Sequence, residues 1–191
     1  MNRLLTIAAA LVLMATSASA TTFNFSGGAD LATTAWQQTN SFSKDGISGT
    51  VAAYAEASGA VVSVPLNGGM GVFTGRPDNN RVDGRNGDEW LTFTFSSAVR
   101  LVDVWFRSIG SPSDSWDVYV DGTLIAVNST QARFDFGNVT AHAFTIRAND
   151  PTDSFYINRM RVSPVPLPAS GLLLVGGLAG LGLFRRKAKT S

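Results

Sequence analysis

Between Arg76 and Glu89 the chain concentrates oxygen donors. Asp83, Asp88 and Glu89 bring carboxylates, Asn79, Asn80 and Asn86 bring amide oxygens, and Gly84 and Gly87 allow sharp turns. A hard cation such as Ca2+ takes roughly six to eight such oxygens. The run lacks the D-x-[DN]-x-[DN]-G register of an EF-hand loop, so the expected metal set is an irregular one of Asp83, Asp88 and Glu89. The competing reading is a solvated loop whose Asp and Asn side chains make turns. A second chemistry is stacking on sugar rings. Trp90, Trp105 and Tyr119 fall on the strand parity opposite their more apolar neighbours, which makes them better ligand candidates than Trp116. Packing at the core or its rim is the alternative for all three.

Catalytic groups are sparse. There is no cysteine, which removes a thiolate metal site, a cysteine nucleophile and any disulfide framework. His142 is the single histidine and stands in an alternating strand, and no G-x-S-x-G elbow accompanies it. Gly68-Gly69-Met70-Gly71 is not a phosphate loop, since no Lys-Ser/Thr follows it. Asp83, Asp88, Glu89 and Asp117 could form an acid pair only at a separation that the fold decides. The expectation is a protein that is not an enzyme, with a weak hydrolase as the minor alternative.

The elements that must position these groups are strands. Thr22-Phe23-Asn24-Phe25 alternates, and residues 89–95 place Leu91, Phe93 and Phe95 on one face. Residues 100–107 form a further strand, with Val102, Val104 and Phe106 on one side and Asp103, Trp105 and Arg107 on the other. Trp116, Val118 and Val120 share a face, and Asp121-Gly122 supplies a hairpin turn into residues 123–127. Residues 133–136, 142–148 and 153–162 continue the series. In the last, Phe155 and Ile157 keep a parity that Met160 and Val162 do not, which predicts a bulge near Asn158. Residues 47–54, 60–64 and 71–74 also fit strands, while 31–43 reads either as a short helix or as a loop. Roughly nine or ten short strands with Gly, Asn and Asp between them predict an all-β fold, an antiparallel β-sandwich of jelly-roll type.

Both ends of the 191-residue chain read as addresses. Arg3, an apolar run from Leu4 to Met14 and Ala18-Ser19-Ala20 make a secretory signal peptide over residues 1–20. The ectodomain is expected over 21–162. A Pro-rich linker follows over 163–169, then a single transmembrane segment over 170–184 and a basic tail over 185–191. The apolar segment is short for a full span of about 20 residues and rich in glycine. The net charge of +1 hides an asymmetry. Of 15 basic residues, Arg3, Arg185, Arg186, Lys187 and Lys189 are terminal, leaving 10 against all 14 acidic ones, a balance of −4 for the domain. An acidic domain with basic ends is a poor nucleic-acid binder. Arg185, Arg186 and Lys187 form a stop that stays cytoplasmic by the positive-inside rule, leaving the domain outside.

Val165-Pro166-Leu167-Pro168-Ala169, with the Gly-rich segment and Arg185-Arg186-Lys187 behind it, resembles the VPLPA-CTERM signal of the PEP-CTERM class of bacterial surface proteins. The resemblance implies recognition by a membrane-embedded exosortase-type enzyme and removal of the tail. It also implies a Gram-negative envelope and company with exopolysaccharide. Leu167-Pro168-Ala169-Ser170-Gly171 is close to the LPxTG signal of sortases, with Ser170 in place of Thr. The complete five-residue match favours the exosortase reading. More loosely, residues 76–89 resemble a loop of PEP-CTERM ectodomains and carbohydrate-binding jelly rolls, near which Ca2+ often sits.

The expected protein is inserted transiently in the inner membrane and then held at the cell surface or released outside. There it is a non-catalytic structural or adhesive component associated with exopolysaccharide, or alternatively a Ca-dependent carbohydrate-binding module. Mass spectrometry of the mature protein is expected to show loss of residues 1–20 and of the segment behind the Pro-rich motif. Peptides bearing Phe184-Arg185-Arg186 on all mature protein would reduce the tail to a plain anchor.

Overall fold

The computed structural model describes residues 19–33, 36–56, 59–63, 68–75, 77–85, 87–108 and 114–165. The signal peptide up to Ala18, the sorting motif beyond Val165, the expected membrane segment and the basic stop lie outside them. So does Asn86. Among the described residues no helix is long and apolar enough to cross a membrane.

The described chain is all-β and antiparallel. Its first strands are β1 (Thr21–Asn24), β2 (Thr39–Lys44), β3 (Ile47–Ala55), β4 (Val61–Ser63), β5 (Gly71–Phe73) and β6 (Val82–Asp83). Then come β7 (Glu89–Ser108), β8 (Trp116–Val120), β9 (Thr123–Ser129), β10 (Arg133–Asp135), β11 (Thr140–Arg147) and β12 (Ser154–Pro164). The main sheet runs β1-β12-β7-β11-β8-β9, with β3 also on β7, β2 on β3, β10 on β7 and β6 on β12. β4 and β5 form a separate pair.

One strand organises the rest. The sequence reads residues 89–95 and 100–107 as two strands, but they are the halves of a single 20-residue strand, β7. Ser96, Ser97 and Ala98 break the alternation because the strand turns a corner there. Against β11, Phe95 to Ala98 stand where the partner has only His142, a wide irregularity between Ala143↔Thr94 and Ala141↔Val99. Before the corner β7 pairs with β3, and after it with β12 and β10. A bulge that bends and twists a strand is a common way to turn such corners.

The predicted bulge at Asn158 is present: Ile157 pairs with Phe106, and Arg159 with Trp105. A second irregularity lies at Val102, since Arg161 pairs with Asp103 but Val162 with Leu101. It corrects the expected face. Leu101 and Val104 are fully buried, whereas Val102 is only half-buried. β12 also runs on to Pro164, which pairs with Val99, so the sheet extends two residues into the expected linker. Within 31–43 the only strand is β2, and no α-helix forms there among the described residues.

Two turns share one chemistry. Asp121 (φ 45°) and Gly122 (φ 79°) close the β8–β9 hairpin, and Asp45 (φ 50°) and Gly46 (φ 78°) close β2–β3. Positive φ at both central positions is the type I′ geometry that Asp-Gly favours.

Ring contacts show how the sheet folds over on itself. Phe25 of the segment after β1 lies 5.7 Å from Phe93, Phe23 lies 5.0 Å from Phe42, and Phe106 stacks on Trp116 at 4.0 Å. Phe93 stacks on Phe144 at 4.5 Å within the sheet. Each pair joins residues that are almost fully buried, and such pairs add roughly 0.5–1.5 kcal/mol beyond the burial itself. The architecture is consistent with a β-sandwich.

Phe93 is the centre of this cluster, touching Phe25, Phe42 and Phe144. Phe93→Ala is expected to lower unfolding stability by about 3–5 kcal/mol in denaturant titration. Exposed Val127 changed to Ala should alter it by no more than about 0.5 kcal/mol.

Candidate functional site

The oxygen-rich loop folds as a chain of turns. Asp78 Oδ1 accepts the Asn80 N–H at 3.0 Å, Asn79 Oδ1 the Arg81 N–H at 3.0 Å, and Asp83 Oδ1 the Arg85 N–H at 3.0 Å. These i to i+2 bonds are Asx turns. Asp78 Oδ2 also accepts from the N–H and hydroxyl of Thr74. Much of the oxygen that a cation would need is therefore engaged by the backbone.

The expected metal set does not come together. Asp83 and Glu89 are both buried, and Glu89 Oε2 accepts the Asp83 N–H at 3.1 Å. Asp88 is turned the other way and takes the Arg147 Nε at 3.0 Å. The physical reason is strand parity: Asp88 and Glu89 are neighbours at the start of an extended strand, so their side chains leave on opposite sides. Among the described residues no three acidic or histidine side chains converge as a metal site.

Burial pushes Glu89 from its ordinary 4.5 up to about 8, with the charges of Asp83 and Asp78 adding to it against the bond from the Asp83 N–H. Asp83 moves up as well, again chiefly through burial. Burial, with the nearby charge of Asp83, favours the protonated form of Glu89.

The sugar-stacking candidates divide between two faces. Trp90 and Tyr119 line one shallow groove of about 250 Å3 with Gly122, Thr145 and Arg147. Register explains the grouping: Trp90 pairs with Arg147, and Thr145 with both Thr92 and Tyr119. Trp90 is flanked on both sides. Tyr54 of β3 stacks on it at 5.7 Å and 13°, and the Arg147 guanidinium of β11 lies 5.1 Å from its ring centroid. Arg147 is held in turn by Asp88 and by Glu56 at 3.3 Å. Burial works against its charge, but the Asp88 bond and charge, with Tyr119 and Glu56 behind them, hold the guanidinium above its ordinary value. Thr92 and Thr145 share a hydroxyl bond of 2.9 Å.

Trp105 is not part of this groove. It lies beyond the corner of β7, paired with Arg159 and Arg133, so the three aromatics do not share one concave face. His142 is exposed, and its backbone N–H donates to Asp121 at 3.0 Å. Asp117 accepts the Asn128 N–H at 2.9 Å and the Asn149 amide at 2.8 Å, which anchors the loops rather than serving as half of an acid pair. A polar hollow of about 490 Å3 beside β2 and β3 is lined by Asp30, Ser41, Ser43, Ser48, Thr50 and Ser96 among others.

Sequence reasoning missed Arg147 and Thr145. Their signal was their parity in β11, outward between buried Phe144, Ile146 and Ala148. Comparison with known proteins finds no matching family model, no matching curated protein and no matching solved structure. The resemblance of the tail to a sorting signal therefore rests on its residues.

The raised Glu89 value sets a pH dependence. Between pH 4.5 and about 8 the folded chain keeps a proton that the unfolded chain has lost. This contribution is fully present below 4.5 and is lost as pH rises through about 8. Stability is expected to fall across that window by up to about 1.4 kcal/mol per pH unit. Glu89→Gln, which keeps an acceptor for the Asp83 N–H, should flatten the slope of melting temperature against pH. An unchanged slope would show that Glu89 is ionised throughout.

Proposed function

We infer that the chain is an exported cell-surface or extracellular-matrix protein. In this reading the signal peptide exports it, an exosortase-type enzyme recognises residues 165–169, and the domain remains outside. The domain is then a β-sandwich of jelly-roll type acting as a non-catalytic adhesive component that holds exopolysaccharide.

The observation that carries the binding role is the groove in which Tyr119, Trp90, Thr145 and Arg147 converge. Sugar rings offer an apolar face and a rim of hydroxyls. A groove with aromatic walls and a few fixed donors and acceptors matches both. The Thr92–Thr145 bond and the Asp88–Arg147 ion pair hold those polar groups in place before any ligand arrives, which lowers the ordering cost of binding. Asp88 supports the groove through Arg147, so the role proposed for it is positional and calcium is not required. The buried acids bonded to backbone N–H groups also leave the hydrolase reading without a favoured pair.

Affinity electrophoresis through neutral polysaccharides, with the exopolysaccharide of the producing cells as one of them, tests the reading. The chain should be retarded in at least one gel. Tyr119→Ala should weaken retardation by roughly threefold to tenfold, in line with one lost aromatic contact, and EDTA should leave it unchanged. Equal retardation of Tyr119→Ala and the native chain would overturn the groove as the site.

A further inference from the structure

The second outer face, beyond the corner of β7, has a different chemistry. Its centre is Trp105. The Arg159 guanidinium lies 3.8 Å from the Trp105 ring centroid, and that of Arg133 lies 5.5 Å away. Because β12 and β10 flank β7 at this residue, the two cations stand on opposite sides of the indole. Beneath them Asp103 is fully buried and accepts from Trp105 Nε1 at 3.1 Å, Arg133 Nε at 2.8 Å and Arg161 Nε at 2.9 Å. Burial alone would raise the Asp103 carboxyl, but the Arg161 and Arg133 bonds outweigh it and hold it below its ordinary value.

Asp103 satisfies Arg133 and Arg161, and both arginines keep more than a third of their side chains exposed. Arg159 is not used in this way. Among the described residues it takes part in no ion pair, and its guanidinium lies over Trp105. A guanidinium held this close to an indole by cation–π attraction loses little of its hydrogen-bonding capacity, because the ring takes none of its N–H donors in the plane. On this face Arg133, Arg159 and Arg161 stand against Asp103 and Asp135. This excess is local, because the domain as a whole carries −4.

We propose that the outer face of β7, β10 and β12 is a second binding site, for a carboxylate-bearing polysaccharide, with Arg159 stacked on Trp105 as its anchor. A carboxylate is the planar partner that a fixed guanidinium fork accepts best. Arg133 and Arg159 lie two strand spacings apart, on the order of 10 Å, which suits successive charged groups on an extended chain. A long polyphosphate would meet the same arginines but also the negative remainder of the domain, and nucleic-acid affinity needs a broader basic surface. The choice of a glycan among polyanions rests on the export reading above. The site does not depend on the Trp90 groove.

Binding of the full-length chain to polygalacturonate and alginate, measured calorimetrically beside methyl-esterified polygalacturonate and inorganic polyphosphate, tests this site. At least one polyuronate should bind, more weakly as salt rises. The esterified form should bind at least tenfold more weakly. Arg159→Gln should weaken polyuronate binding by roughly tenfold, the loss of one charge-assisted contact. Arg159→Lys should recover part of it, and melting curves should show both variants folded. Tyr119→Ala should leave polyuronate binding unchanged, which separates failure of this site from failure of the groove. No binding to either polyuronate, equal binding of the ester, an inert Arg159→Gln or polyphosphate binding as tight as polyuronate would each overturn the proposal.

Discussion

A strand of 20 residues has two edges of N–H and C=O groups to satisfy, and in β7 both are taken up by different partners before and after its corner. On one edge β3 gives way to β12, and on the other β11 bridges the corner and β10 follows. The remaining geometry depends on that handover. The corner brings the two halves of the sheet face to face, so that Phe93 before it and Phe106 after it both point into one core. It also forces the local breaks in pairing. The Val102 irregularity keeps Leu101 and Val104 both inward, and the Asn158 bulge lets β12 follow the bend while Ile157 and Met160 both stay buried.

A domain without cysteine has to fasten its loops by other means, and this one uses buried carboxylates. Asp153 accepts the N–H and hydroxyl of Ser115 at 2.8 and 3.0 Å, and Asp117 holds the Asn128 N–H. Asp121, exposed in a hairpin turn, does the same at the surface, reaching across to the N–H groups of His142 and Ala143. At Asp153 and Asp117 these bonds offset part of the desolvation cost of the acid, and all three acids satisfy backbone N–H groups. Asp103 is the exception, since arginine and indole donors surround it instead. That difference is why its value moves down, whereas Asp83, Glu89 and Asp153 move up.

Much of the strand content was legible from period-two alternation, because one face of each strand is buried and the other is not. The Asn158 bulge was legible for the same reason, as a parity break between Ile157 and Met160. The continuity of β7 was not. Ser96-Ser97-Ala98 carries no alternation because a corner has no consistent inside, and in one dimension a corner resembles a loop. The Asp45-Gly46 turn carries the same signal as Asp121-Gly122, but the strand leading into it, Thr39–Lys44, has no apolar alternation to set it off from the stretch before it. For the site, parity picked Trp90, Trp105 and Tyr119 as outward, and all three are half-buried rather than core. Which of them share a face depends on the register between strands far apart in sequence, and that register is set by the corner. The acids of the loop part on a subtler point, since Asp88 just before β7 and Glu89 at its first position leave the extended chain on opposite sides.

The two outer faces repeat one device with different consequences. β7 gives one tryptophan to each, Trp90 before the corner and Trp105 after it, and each indole is flanked by side chains from the strands on either side. With both ring faces covered, neither indole offers a large open platform. What each offers is a rigid wall that fixes a guanidinium. At Trp90 the fixed cation is neutralised by Asp88 and Glu56, and the neighbouring open ring is the Tyr119 phenol, so the groove suits an uncharged ring with hydroxyls. At Trp105 the neutralising acid is buried below and shared between Arg133 and Arg161, and among the described residues Arg159 has no acid paired with it. In the two proposed binding roles, the placement of two acids, Asp88 beside its arginine and Asp103 beneath its pair, is what directs one face to a neutral ligand and the other to an anionic one.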